Sequence, residues 1–129
     1  MKCVLIVDDV PTVRLVIKKI LARAGFTSIE AADGVEALSL LDIHYVDTVV
    51  TDIWMSGMDG LQFLDILKRK WPGIAVVAMT GGAPQKGQEE SLERARDAGA
   101  TQLLMKPIDK DELVAAVLQA LSAITPHTA

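Results

Sequence analysis

The feature that most constrains this chain is a regular alternation of short apolar runs with longer segments of helical periodicity. Each longer segment has apolar residues recurring every three or four positions, the spacing of one buried helix face. The predicted strands are Cys3–Val7, Thr27–Ala32, Asp47–Thr51, Ile74–Met79 and Thr101–Met105. The first predicted helix begins at Pro11 and ends before Gly25. The other four predicted helices span Gly34–His44, Gly60–Trp71, Glu89–Ala98 and Lys110–Ile124. Strict alternation of this kind predicts an α/β fold, a doubly wound parallel sheet of five strands.

Length and composition predict one soluble domain. The chain has 129 residues, half of them hydrophobic, which is enough to bury a core without disulfides. A net charge of −4 argues against binding nucleic acid through bulk charge, and the first apolar run is too short for a signal peptide or membrane span. The lone cysteine, Cys3, cannot form an internal disulfide, as expected of a reducing compartment. We therefore expect a cytoplasmic protein that contacts neither membrane nor nucleic acid.

Polar side chains stand where the predicted strands end. Asp8 and Asp9 follow the first strand, Asp52 the third, Thr80 the fourth and Lys106 the fifth. Ligands of such sheets bind outside the carboxyl ends of the strands. We therefore expect three carboxylates, a hydroxyl and an ammonium to meet at one edge of the sheet.

Each of these residues alone has an ordinary structural explanation. Asp8 and Asp9 could cap the first helix, Asp52 could cap a turn, and Lys106 could form an ion pair with an acid. Three clustered carboxylates, however, repel one another unless a cation lies between them. Oxygen ligands favour a hard ion, Mg²⁺ or alternatively Mn²⁺. An ammonium and the Thr80 hydroxyl are suited to phosphoryl oxygens, so the combination predicts phosphoryl transfer.

The chain resembles the receiver domain of two-component response regulators over essentially its whole length. The matching segments are Val7-Asp8-Asp9, Thr51-Asp52-Ile53-Trp54-Met55, Met58-Asp59-Gly60, Met79-Thr80-Gly81, Ala98-Gly99-Ala100 and Lys106-Pro107. The resemblance implies a flavodoxin-like (βα)5 fold with strand order 2-1-3-4-5. It implies a receiver domain over residues 1–124 and a flexible tail over 125–129.

The resemblance also implies roles for individual residues. Asp52 would accept a phosphoryl group, with Thr80 and Lys106 contacting it. The metal ligands would be Asp8, Asp9, Asp52 and the backbone carbonyl of Trp54. The Lys106–Pro107 bond would be cis. Two positions depart from the family pattern: Leu103 replaces the usual switch aromatic, and Ser56 replaces a common proline.

The implied function is a stand-alone phosphorylation switch. Its phosphoryl donor would be a sensor histidine kinase or a histidine phosphotransfer protein. Its downstream protein target would bind the fourth helix, fifth strand and fifth helix. Three alternatives stay open: a receiver cut from a longer regulator or hybrid kinase, a receiver used only for docking, and a metal-dependent aspartyl-phosphate phosphatase resembling the haloacid dehalogenases.

Overall fold

A computed structural model describes residues 2–53, 60–81 and 88–123 of the chain. Within these ranges, five parallel strands form one sheet in the order β2-β1-β3-β4-β5, with five helices between and after them. The strands are β1 (Cys3–Val7), β2 (Thr27–Ala31), β3 (Thr48–Asp52), β4 (Ala75–Thr80) and β5 (Gln102–Met105). The helices are α1 (Pro11–Arg23), α2 (Gly34–Ile43), α3 (Gly60–Lys70), α4 (Gln88–Asp97) and α5 (Lys110–Ala123). The predicted fold class and strand order are confirmed.

The central strands are apolar because both faces of the sheet are covered. Alternate residues of β1 point to opposite faces, so Val4 and Ile6 join one core cluster while Leu5 and Val7 join the other. The first cluster packs α1 and α5 against the sheet. The second cluster includes buried residues of α2, α3 and α4. Every residue of β3 and β4 is buried, including the polar residues Thr48, Thr51, Asp52 and Thr80.

Side-chain caps explain where two helices begin. The Asp33 carboxylate accepts the amide of Glu36 at 2.8 Å, and the Glu36 carboxylate accepts the amide of Ala32 at 2.6 Å. The predicted cap of α2 is therefore present, although Glu36 reaches one residue further back than in the usual capping box. The Asp109 carboxylate likewise accepts the amide of Glu112 at the start of α5, at 3.0 Å.

The structure corrects several predicted boundaries by one residue. The predicted third and fourth strands stop before Asp52 and Thr80, but both residues belong to the strands as their last members. The ladder continues that far because Asp52 pairs with Met79 and Thr80 pairs with Met105. Apolarity alone cannot show this, because backbone pairing does not depend on the side chain. Predicted helix ends at His44, Trp71 and Ala98 are also one residue too late.

Within the described ranges, every helix is too short or too polar to cross a membrane.

Candidate functional site

The parallel sheet brings three carboxylates together at its carboxyl edge. Asp8 and Asp9 follow β1, and Asp52 ends the neighbouring strand β3. One carboxylate oxygen from each residue lies within 4.8 Å of the others. Asp8 and Asp52 are buried, whereas Asp9 is exposed. The prediction that these acids meet at one edge agrees with this geometry.

Asp8 is held by hydrogen bonds at several of its polar atoms. Its amide donates to the carbonyl of Ala31 at 3.2 Å, and its Oδ1 accepts the amide of Val10 at 2.9 Å. Its Oδ2 accepts Lys106 Nζ at 2.9 Å. The bond to Val10 closes a local turn just before α1, and the N-cap of that helix makes no side-chain cap hydrogen bond within the described residues.

Lys106 joins two of the acids although it is distant from both in sequence. Its Nζ lies 2.9 Å from Asp8 Oδ2 and 2.8 Å from Asp52 Oδ2. Partial burial alone would lower the pKa of Lys106, but hydrogen bonds and charge attraction from Asp52 and Asp8 outweigh burial and raise that pKa. Lys106 is therefore an ammonium at neutral pH, able to contact an anionic oxygen.

Thr80 and Gly81 lie beside the backbone and the aliphatic part of Lys106. Thr80 is buried at the end of β4, and its carbonyl accepts the amide of Lys106 at 2.9 Å. This bond ties the base of the Lys106 side chain to the same edge of the sheet. A Cβ at Gly81 would lie 3.8 Å from the Lys106 side chain, which is ordinary contact. The site therefore does not need glycine at position 81 to avoid a clash.

Gly60 has a steric role that the sequence pattern alone did not reveal. It begins α3, and its amide donates to the carbonyl of Ile53 at 2.8 Å. A Cβ at this position would clash with Ile53 Cα and would lie 2.5 Å from the carbonyl oxygen of Asp52. Real Cβ atoms essentially never approach backbone this closely. The signal in the sequence was the position of Gly60 immediately after Met58-Asp59.

Two further charged residues adjoin the acids, and the sequence pattern did not predict them as site residues. Arg14, on α1, donates from Nη1 to the backbone carbonyl of Asp8 at 2.6 Å. Its Nε also donates to Glu30 Oε1 at 3.1 Å. In the sequence, Arg14 and Glu30 look like ordinary surface charges. Their positions along the chain do not reveal that α1 and β2 flank the acidic turn.

Some predicted features lie outside the described residues or away from the acids. The proposed ligand carbonyl of Trp54 and the departure at Ser56 fall within 54–59, outside the described residues. Leu103 is half-buried and packs against the core cluster that contains α2, α3 and α4. The Lys106–Pro107 peptide is cis, as the resemblance implied.

The donor set fits a hard divalent cation. Three carboxylates converge, and Lys106 supplies one positive charge to two of them. The cluster consists of oxygen donors, which are the ligands that Mg²⁺ and Mn²⁺ prefer. Charge balance and ligand chemistry therefore both favour a metal of this class.

Comparisons with known proteins place the chain in a family. A profile described as the response regulator receiver domain matches residues 4–118. The chain belongs to the response regulator receiver family. Receiver domains bind Mg²⁺ at an acidic pocket and accept phosphoryl groups from histidine kinases. This family differs from the haloacid dehalogenases that the phosphatase alternative resembles.

Individual relatives agree with the family assignment. The chain is 31% identical to the receiver domain of NtrX from Brucella abortus, with a TM-score of 0.85 and coverage of 92% of this chain and 98% of that one. It is 27% identical to the chemotaxis response regulator CheY4 of Vibrio cholerae, with a TM-score of 0.84 and coverage of 94% and 99%. It is also 37% identical over 117 residues to the DNA-binding transcriptional regulator NtrC of Escherichia coli K12, covering 91% of this chain and 24% of NtrC.

The chain spans about a quarter of the length of the curated relatives that it matches. The DNA binding in the name of NtrC describes that whole protein. The expectation that this domain itself does not contact nucleic acid stays a prediction.

Proposed function

We propose that this receiver accepts one phosphoryl group on Asp52 and changes its protein-binding surface in response. The observation that carries the proposal is the position of Lys106 Nζ, at hydrogen-bond distance from both Asp52 and Asp8 at the carboxyl edge of the sheet. An ammonium in this place can leave the Asp52 oxygen and contact a phosphoryl oxygen attached there. Thr80 ends the adjacent strand, and its hydroxyl would donate to the same group.

The reaction is a transfer from a phosphohistidine of a sensor kinase or phosphotransfer protein. A carboxylate oxygen of Asp52 forms the new P–O bond while the P–N bond of the donor breaks. The imidazole nitrogen keeps the electron pair of that bond and takes up a proton from water. Asp8, Asp9, Asp52 and the Trp54 carbonyl would hold Mg²⁺, which neutralises charge on the transferring group.

Asp8 and Asp52 have different roles in the proposal. Both oxygens of Asp8 accept hydrogen bonds, from the Val10 amide and from Lys106. The Asp8 carboxylate is therefore engaged in fixing the turn and the ammonium. Asp52 is buried at the end of a central strand, with Lys106 bound to its Oδ2. The two bonds of Asp8 support it as the acid that positions the turn and the ammonium, and the resemblance to receiver domains supports Asp52 as the nucleophile.

The proposed output surface is formed by α4, β5 and α5. The described side chains of these two helices differ in how much apolar surface they bury. α5 buries Leu113, Ala116, Val117 and Ala120, whereas among the described side chains of α4 (residues 93–97) the small Ala95 is buried. Weak anchoring lowers the free energy needed to move a helix, so α4 is the element that phosphorylation would shift most easily.

The first test is phosphorylation by a small-molecule donor. With Mg²⁺ and acetyl phosphate, we expect the protein to gain the mass of one phosphoryl group, in a linkage that hydroxylamine cleaves. Asp52→Asn should gain none. Asp65→Asn is a matched control, because Asp65 is an exposed acid of α3 paired with Arg69. Asp65→Asn should be labelled to the same extent as the natural protein.

Three outcomes would contradict the proposal in different ways. Absence of label on the natural protein at saturating donor would favour the docking-only receiver. Equal labelling of Asp52→Asn would place the phosphoryl group elsewhere. Continuous turnover of unrelated phosphate esters would indicate a phosphatase.

The wider setting of this receiver stays a prediction. Solved relatives include a chemotaxis regulator of similar length and regulators of which this chain covers about a quarter. The relatives therefore include regulators of about this length and regulators that are much longer. The cytoplasmic location follows from the proposed donors, and fractionation of the cells that express the protein would test it.

A further inference from the structure

Arg14 links the acidic turn to the neighbouring strand. Its Nη1 donates to the carbonyl of Asp8 at 2.6 Å, and its Nε donates to the Glu30 carboxylate at 3.1 Å. Glu30 lies on β2, beside Ile6 of β1 in the sheet register. The Arg14 side chain is only 16% exposed, so solvent weakens these contacts less than it weakens a surface ion pair. The guanidinium therefore holds the end of β1 from the side of α1 and β2.

The carbonyl that Arg14 holds belongs to the peptide that leads into Asp9. A peptide unit is planar, so fixing the oxygen of Asp8 also fixes the direction of the Asp9 amide and the path to its Cα. The amide and the carboxylate of Asp8 are bound to Ala31, Val10 and Lys106. The Asp8 carbonyl is one atom through which this network continues to Asp9, an exposed residue.

We propose that Arg14, held in place by Glu30, is a positioning residue that aims the Asp9 carboxylate at the metal. The inference rests on the proposed Mg²⁺ site and adds to it a residue of α1 that does not touch the metal. Arginine suits this task because its planar group binds two acceptors in fixed directions, which a lysine ammonium does not. A merely structural ion pair would contribute to folding but would leave metal affinity unchanged.

The sign of the change in Mg²⁺ affinity separates positioning from simple charge. Removing a positive charge beside a cation site strengthens Mg²⁺ binding if charge alone acts. Losing the orientation of Asp9 weakens it. We expect calorimetric titration with Mg²⁺ to show a dissociation constant about 10-fold higher for Arg14→Met, the size typical of partners that orient metal ligands. Arg14→Lys should fall between Arg14→Met and the natural protein, and Glu30→Gln should weaken binding less than Arg14→Met.

Lys18→Met is the matched control. Lys18 lies on the same helix as Arg14, and its ammonium pairs with the second oxygen of Glu30 at 3.4 Å. Its removal also deletes one positive charge, yet it should leave the dissociation constant unchanged or slightly lower. Urea unfolding of the metal-free variants shows whether each is folded before titration. If Arg14→Met does not fold, Arg14→Lys still tests the inference, because it keeps the positive charge and removes the fixed geometry.

A second measurement distinguishes an effect on metal binding from an effect on phosphoryl transfer. The rate of labelling by acetyl phosphate should need more Mg²⁺ in Arg14→Met, while the rate at saturating Mg²⁺ recovers most of its natural value. Equal or tighter Mg²⁺ binding by Arg14→Met and Arg14→Lys would overturn the inference while leaving the proposed function intact. Failure of the natural protein to bind Mg²⁺ would instead refute the proposed metal site itself.

Discussion

The two ends of β3 bury polar side chains with opposite outcomes. At the carboxyl end, buried Asp52 accepts a hydrogen bond from Lys106 at 2.8 Å. At the amino end, Thr48 is fully buried, and in the described part of the chain its Oγ1 has no hydrogen-bond partner. A buried polar group without a partner reduces the free energy of unfolding by about 1–3 kcal/mol.

This difference shows that the two edges of the sheet serve different purposes. The carboxyl edge keeps its charges because Lys106, 54 positions further along the chain, reaches them. At the amino edge, the neighbours of Thr48 in the register are Val4 and Ala75, which have apolar side chains. The buried charges therefore have specific partners at the carboxyl edge, where the proposed chemistry takes place. At the opposite end, the buried hydroxyl of Thr48 has no partner among the described residues.

The largest expected effect comes from adding one methyl group at the carboxyl edge. Gly60→Ala would push a Cβ against the backbone of Asp52 and Ile53, which cannot turn away as a side chain can. We expect the free energy of unfolding, measured with urea, to fall by about 3 kcal/mol or more. Gly73→Ala is the control at the amino edge, because its added methyl group would meet no atom of the described residues within 4 Å beyond its chain neighbours. A small loss in Gly60→Ala, similar to that of Gly73→Ala, would contradict the difference between the two edges.

Removing the ammonium should have the next largest effect. Lys106→Met leaves two buried carboxylates without their shared cation. We therefore expect the free energy of unfolding in Mg²⁺-free buffer to fall by about 2 kcal/mol. This is below the range for fully buried pairs because 24% of the Lys106 side chain is exposed. Added Mg²⁺ should recover part of the loss, since a ligand that binds only the folded state stabilises it.

Lys110→Met provides the comparison for Lys106→Met. Lys110 is an exposed residue at the start of α5, so its replacement should change the free energy of unfolding by less than about 0.5 kcal/mol. If Lys106→Met were as stable as Lys110→Met without metal, Lys106 would not be balancing the two acids.

The smallest expected effect is a gain in stability at the amino edge. Thr48→Val keeps the shape of the side chain and removes its unpartnered hydroxyl, so the free energy of unfolding should rise by about 1 kcal/mol. Thr27→Val is the control, because Thr27 is exposed on β2 and its hydroxyl donates to the carbonyl of Lys2 at 3.3 Å. A loss of stability in Thr48→Val would mean that the hydroxyl contributes favourably in the fold.

Much of the candidate site could be predicted because its residues follow apolar strands in an alternating α/β pattern. That pattern places Asp8, Asp9, Asp52, Thr80 and Lys106 at one edge without any knowledge of distances. Strand ends were less predictable: Asp52 and Thr80 still pair with neighbouring strands through their backbones. The steric demand on Gly60 could not be predicted at all, since it depends on how closely the start of α3 approaches β3.

Periodicity and residue type are properties of the chain, so they were enough to predict the fold class and the kinds of chemical group at the carboxyl edge. The contacts between those groups depend on the three-dimensional arrangement. The tertiary structure showed that Lys106 spans Asp8 and Asp52, that Arg14 reaches the Asp8 carbonyl, and that the Thr48 hydroxyl is unmatched within the described ranges. A hydrogen bond is made or lost when the distance between donor and acceptor changes by about a few tenths of an ångström. For residues far apart in sequence, the packing of helices on the sheet sets that distance.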